Sequence, residues 1–174
     1  MKARKIPSCL IVAMLLSFIL SSAGCANQKN LPEGFVPAQL ISIKENGHLV
    51  LSYQNTTKEL KLIGVDLPLL NNDNFAPYGH EVKDYLNEKL AGKHFYLEFQ
   101  TDNSFFNNQV YLWLNIPKNL TDDEIIKNML NAQMLVKGYT IYQPVINSKY
   151  EKTLNLCNEY ARKNNLAFWK MFSM

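Results

Sequence analysis

The 174 residues carry 18 Lys and Arg against 15 Asp and Glu, a formal charge of +3, with 47% hydrophobic residues and three cysteines. A chain of this length suits one domain with a real core. The charge is small and no basic run occurs, so general affinity for the phosphate backbone of nucleic acids is not supported.

The first residues stand apart from the rest. Lys2, Arg4 and Lys5 form a positive start, Cys9 to Leu20 is apolar apart from Ser17, and Ser21-Ser-Ala-Gly24 leads into Cys25. The apolar run is short for a membrane-spanning helix and suits a secretory signal. Ser-Ala-Gly-Cys25 resembles a bacterial lipobox, with Ser22 where leucine is usual. Residues 1–24 are therefore expected to be a lipoprotein signal peptide, residues 25–34 a lipidated Cys25 with a polar tether, and residues 35–174 the folded domain. An ordinary signal peptide ending near a cysteine is the alternative. Acyl chains contribute roughly 0.8 kcal/mol per buried methylene, so two or three of them hold a domain firmly at a membrane. Loss of Lys2, Arg4 and Lys5 leaves 15 basic side chains against 15 acidic ones. It also leaves Cys157 as the one cysteine besides Cys25, so no internal disulfide is expected despite export. With Ala26 after the cysteine, the expected location is the outer membrane in a Gram-negative host, and outside the single membrane in a Gram-positive one.

Beyond the tether, the pattern predicts a strand over Val36 to Ile43 and a two-residue hairpin turn at Asn46-Gly47. Strands over His48 to Tyr53 and Glu59 to Val65 follow. Pro77 to Leu90 reads as a helix with Val82, Leu86 and Leu90 on one face and Tyr85 beside them, stopped by Gly92. Lys93 to Phe99 and Gln109 to Leu114 are two further strands, bridged by an Asn-rich loop. Thr121-Asp-Asp-Glu124 predicts a capping box opening a second helix, with Ile125, Ile126, Met129 and Leu130 inward before Gly138. A third helix, from Asn147 or Ser148, carries Tyr150, Leu154, Cys157 and Ala161 on one side.

This order of elements, together with Leu60-Lys-Leu-Ile-Gly-Val-Asp-Leu-Pro68, Pro77-Tyr-Gly-His-Glu81, Leu90-Ala-Gly-Lys93, Val136-Lys-Gly-Tyr139 and the run from Asn147 to Trp169, resembles the thermonuclease (staphylococcal nuclease-like) family. The resemblance implies an α+β fold: a five-stranded OB-fold β-barrel with three packed helices. It also implies calcium-dependent phosphodiester hydrolysis. In that family acidic side chains near the first hairpin and at the end of the third strand hold the metal. A glutamate just past the Asp-Thr-Pro turn is held to act as a base toward water, and two arginines hold the phosphate. Such chemistry rests on positioning and electrostatics.

Carried onto this chain, the match keeps Asp66 at the metal-binding aspartate. The hairpin acid falls at Asn46, with Glu45 as the substitute if the turn shifts by one residue. The strand arginine is Lys61, the glutamate is Leu69, and the second arginine falls at Asn108. Leu67 stands where the family uses a backbone carbonyl, which any residue offers. Beyond Cys25 the chain contains a single arginine, Arg162, so no shift of register supplies the missing pair. No intact catalytic set is expected. No cofactor is expected either, and a calcium site at Asp66, with Leu67, Asn46, Glu45 or Asp73, would be weak.

His48, His80 and His94 lack metal-ligand spacing, Cys157 reads as a structural thiol, and Glu81 as a helix-start acid. The expectation is a lipid-anchored envelope protein whose barrel is a non-catalytic binding or scaffold module. Phe75, Tyr78, Phe105 and Phe106 near the former site would contact an envelope ligand or protein, and nucleic acid is not favoured as a partner. The alternative is a calcium-dependent extracellular nuclease with a modified site.

Overall fold

The computed structural model describes residues 31–67, 78–100 and 108–172. One compact unit, Glu33 to Met174, holds the whole barrel and its core. Its strands are β1 (Phe35–Ile43), β2 (Leu49–Tyr53), β3 (Thr56–Leu62), β4 (Phe95–Glu98) and β5 (Gln109–Trp113), closed in the order β1-β2-β3-β5-β4. All neighbours run antiparallel except β3 and β5, which are parallel over Lys61↔Gln109 and Leu62↔Val110. This is the expected five-stranded OB-type barrel.

Strand β1 is shared between two neighbours. Phe35 to Ala38 pair with β4, and Ala38 to Ile43 pair with β2, with a register shift between Leu40 and Ser42 that bends the strand. The barrel interior is filled by Leu49, Leu51, Leu60, Leu62, Phe95 and Leu97 at alternating positions, as a half-covered strand requires. Strand β5 shows no such alternation: Val110 to Trp113 are all buried, because helices cover its outer face.

The helices are α1 (Gly79–Leu90), α2 (Asp122–Asn128), α3 (Leu130–Val136) and α4 (Glu151–Lys163), followed by a 3-10 turn over Ala167–Phe172. Val82, Leu86 and Leu90 of α1 are fully buried, as their spacing predicts. The expected single helix from Thr121 is two. Met129 takes an extended conformation (φ −98°, ψ 124°) and bridges to Trp113, while the Asn128 carbonyl accepts the Leu114 N–H at 2.7 Å. Pairing with the end of β5 outcompetes continuation of the helix. The capping box does not close either. Thr121 Oγ1 donates to Asn119 Oδ1 (2.8 Å), and Glu124 Oε2 accepts from the Lys118 N–H (3.3 Å). The first hairpin is also wider than expected. Lys44 N–H bonds the His48 carbonyl and Gly47 N–H the Lys44 carbonyl, with Gly47 at φ +79°, which makes a three-residue loop ending in a left-handed glycine.

Burial sets the alkaline limit of the fold. It pushes the Tyr85 phenol and the Cys157 thiol up to about 12, and Tyr111 and Tyr150 upward as well. In the unfolded chain these groups ionise near their model values of 10.0 for tyrosine and 9.0 for cysteine. The folded state then holds more protons than the unfolded one, so stability falls as pH rises. Their contribution is complete below about pH 9 and is lost toward about pH 12. Urea midpoints measured at pH 8 and pH 11 should show the drop.

Candidate functional site

The exit of β3 and the entry of β5 form the site end of the barrel. The Lys61 N–H donates to the Asn108 carbonyl at 2.7 Å, so these two expected phosphate-holding positions are neighbours. Asn108 directly precedes β5 at φ +52°, a conformation that asparagine tolerates. Both side chains are exposed. After Leu62 the chain turns at Ile63-Gly64, and Val65 bridges Tyr142. Gly64 needs its left-handed φ of +73°, and a Cβ there would lie 2.8 Å from the Tyr142 ring. Asp66 follows with its side chain exposed and its carbonyl accepting from Thr140 Oγ1 at 2.5 Å.

The first hairpin folds onto this exit. A Cβ on Gly47 would approach the buried Leu67 side chain to 2.6 Å and the Leu67 carbonyl oxygen to 3.2 Å. The glycine thus packs the hairpin turn against Leu67, the residue after Asp66. The Asn46 side chain, however, is already engaged. Its Oδ1 accepts the His48 N–H at 3.0 Å, and its Nδ2 lies 3.1 Å from His48 Nδ1. That ring is in turn 2.5 Å from Glu59 Oε1. The His48 contact, with Asn46 behind it, holds the Glu59 carboxyl below the usual carboxylate range.

Among the described residues the donor set falls short of calcium, which needs six to eight hard oxygens: Asp66 and Glu45 offer exposed carboxylates, and Asn46 is tied to its own turn. Among the described residues no three His, Cys, Asp or Glu side chains converge. Leu69, Asp73, Phe75, Phe105 and Phe106 lie outside the described residues, as does Cys25. Tyr78 is half-buried at the start of α1, at φ +67°.

The remaining candidates are accounted for by structure. Glu81 lies in the first turn of α1. His94 contacts Gln39, and Cys157 is buried on α4. Arg162 pairs with Glu159 at 2.6 Å on α4.

Two buried polar residues were not anticipated. Asn131 on α3 donates to the carbonyls of Ile63 (2.9 Å) and Val110 (3.2 Å) and accepts the Leu112 N–H (2.9 Å). It ties α3 to both strands of the parallel pair where they diverge. Glu98, at the end of β4, accepts from Trp113 Nε1 (2.8 Å), the Tyr150 hydroxyl (2.9 Å) and Lys149 Nζ (2.5 Å). An asparagine among inward-facing helix positions and a glutamate closing an apolar strand were the available signals.

Comparison with protein families matches residues 59–171 to the model described as Staphylococcal nuclease homologue. The match begins within β3 and ends in the last 3-10 turn, so it contains every site position except the first hairpin. Comparison with curated proteins gives no match.

Proposed function

The chain belongs to the staphylococcal nuclease homologue family, and we propose that it is a lipid-anchored cell-envelope member whose barrel is a non-catalytic binding or scaffold module. One observation carries this reading: beyond Cys25 the sequence has a single arginine, Arg162, and it is committed to Glu159 on α4. Lys61 keeps a positive charge without the planar fork that matches two phosphate oxygens. Asn108 is a neutral donor. Leu69 can neither take a proton nor orient water. Removing one donor to a developing negative charge typically costs about 2.7–4 kcal/mol in the transition state, and two donors and a base are altered together. Such losses do not add, yet any one of them slows the reaction by orders of magnitude.

Asp66 supports a second reading, a calcium-dependent extracellular nuclease with Lys61 and a rearranged metal site. The missing ligands weigh against it. The membrane partner follows from Cys25 in Ser-Ala-Gly-Cys25, and the polar, uncharged balance of the mature chain disfavours nucleic acid as the ligand.

The anchor is tested by growing the producing cells with a labelled fatty acid. Label on the mature chain, lost in Cys25→Ser together with membrane retention, is the expected result. A soluble, unlabelled wild-type chain would contradict the anchored reading.

A further inference from the structure

The barrel accounts for most apolar side chains, but one face of the helical layer stays uncovered. Ile126, Val136, Leu156, Tyr160, Glu159 and Lys163 are among the residues that line a surface groove of about 430 Å³ between α2, α3 and α4. Leu156 is 47% exposed and Tyr160 54%. The 3-10 turn packs on α4 and adds Met171 (40%) and Phe172 (64%). These four are the majority of the seven large hydrophobic side chains exposed among the described residues. Charge gathers in the same segment. Between Glu151 and Phe172, besides the paired Arg162 and Glu159, the chain has Lys152, Lys163 and Lys170 against Glu151, although the chain beyond Cys25 is neutral as a whole.

We infer that this face, α4 with the following turn, lies on an anionic bilayer surface. The inference rests on the anchor reading above and assigns the orientation that the anchor imposes. Ten residues separate Cys25 from Phe35, a reach of about 33 Å at full extension. A domain of this size is roughly 35–40 Å across, so the tether holds it within about one domain diameter of the membrane. Phe35, the first residue of β1, lies near the start of α4. The Phe35 ring lies 5.8 Å from Trp113, which lies 5.5 Å from Tyr150 at the start of that helix. The helix is about 20 Å long, within the reach of the tether, so it can lie flat along the surface. Tyrosine and lysine suit such a boundary, each with an apolar body and a polar tip. A second copy of the chain fits the face less well. The four side chains expose on the order of 400 Å², taking about 200 Å² for each when fully exposed, whereas a standard interface buries about 800 Å² per partner.

The test couples a chain beginning at Cys25, through that thiol, to a maleimide lipid in phosphatidylcholine–phosphatidylglycerol vesicles; Cys157 is buried and does not compete. Hydroxyl-radical footprinting then reads side-chain exposure. Oxidation of Tyr160, Met171 and Phe172 should fall about threefold or more relative to the free chain, with Ile41 and His80 unchanged. Leu156→Glu with Tyr160→Glu, and separately Lys163→Glu with Lys170→Glu, should remove the protection of Met171 and Phe172 without altering circular dichroism. No protection, equal protection on every face, or protection of the free chain at raised concentration would overturn the inference. So would the same protection on phosphatidylcholine alone. Because the coupling is chemical, a chain that cells fail to acylate refutes the anchor while leaving this result to stand or fall separately.

Discussion

Asn131→Leu should lower the unfolding free energy by about 2–4 kcal/mol, since the buried Ile63 carbonyl and Leu112 N–H lose their partner at roughly 1–3 kcal/mol each and relaxation recovers part, while the Val110 carbonyl keeps the Ile63 N–H. Asn131 joins the carbonyls of Ile63 and Val110 and the N–H of Leu112, and the Val110 carbonyl also accepts the Ile63 N–H at 2.9 Å. They sit where β3 leaves the parallel pair after just two registered positions, Lys61 and Leu62. Asn131→Asp should be at least as damaging, because it keeps the acceptor for Leu112 but aims a buried carboxylate at two carbonyl oxygens. Chemical denaturation of both variants checks this. A loss under about 1 kcal/mol in either would mean that the barrel closes without the asparagine.

Glu98→Ala is the second large effect, with an expected loss of about 3–5 kcal/mol for breaking a buried charged cluster by removing one member. The Trp113 Nε1–H and the Tyr150 hydroxyl are buried and would lose their acceptor. The Lys149 side chain is half-exposed and can turn to water. Glu98→Gln keeps the shape and one acceptor oxygen, so its cost should be smaller, about 1–2 kcal/mol. Near-ultraviolet circular dichroism should follow the same order, because Trp113 and Tyr111 pack edge-on against Tyr150 at 5.5 and 4.8 Å. Equal costs for the two variants would show that the carboxylate charge, rather than acceptor geometry, dominates.

These two residues also mark the boundary of what the sequence made legible. Strand and helix order followed from periodicity: Leu49, Leu51 and Tyr53 alternate, and Val82, Leu86 and Leu90 recur on one face. The break at Met129 was invisible because Ile125, Ile126, Met129 and Leu130 fit one continuous helix. The break depends on a long-range partner, the end of β5, that local pattern does not encode. Asn131 and Glu98 were missed for the same reason, since a buried polar residue is recognisable only once its partners are placed. The hairpin was found, but Asn-Gly suggested a two-residue turn where Gly47 instead closes a three-residue loop.

Some of the positions read from the sequence adjoin in the fold. Lys61 and Asn108 adjoin through the backbone, and Gly47 packs on Leu67 next to Asp66. The engagement of Asn46 with His48 could not be read beforehand, because it depends on the side-chain geometry of the turn. Histidine two residues after asparagine on a hairpin, with Glu59 across the strand, was the only hint.

The central claim is that a barrel of the nuclease family persists here without hydrolysis. It is tested most directly by incubating the chain lacking residues 1–25 with single-stranded DNA and millimolar calcium and separating the products on a denaturing gel. The account predicts intact DNA at the level of a protein-free control, from protein whose circular dichroism shows the folded barrel. Cleavage that requires calcium and disappears in Asp66→Ala would contradict it.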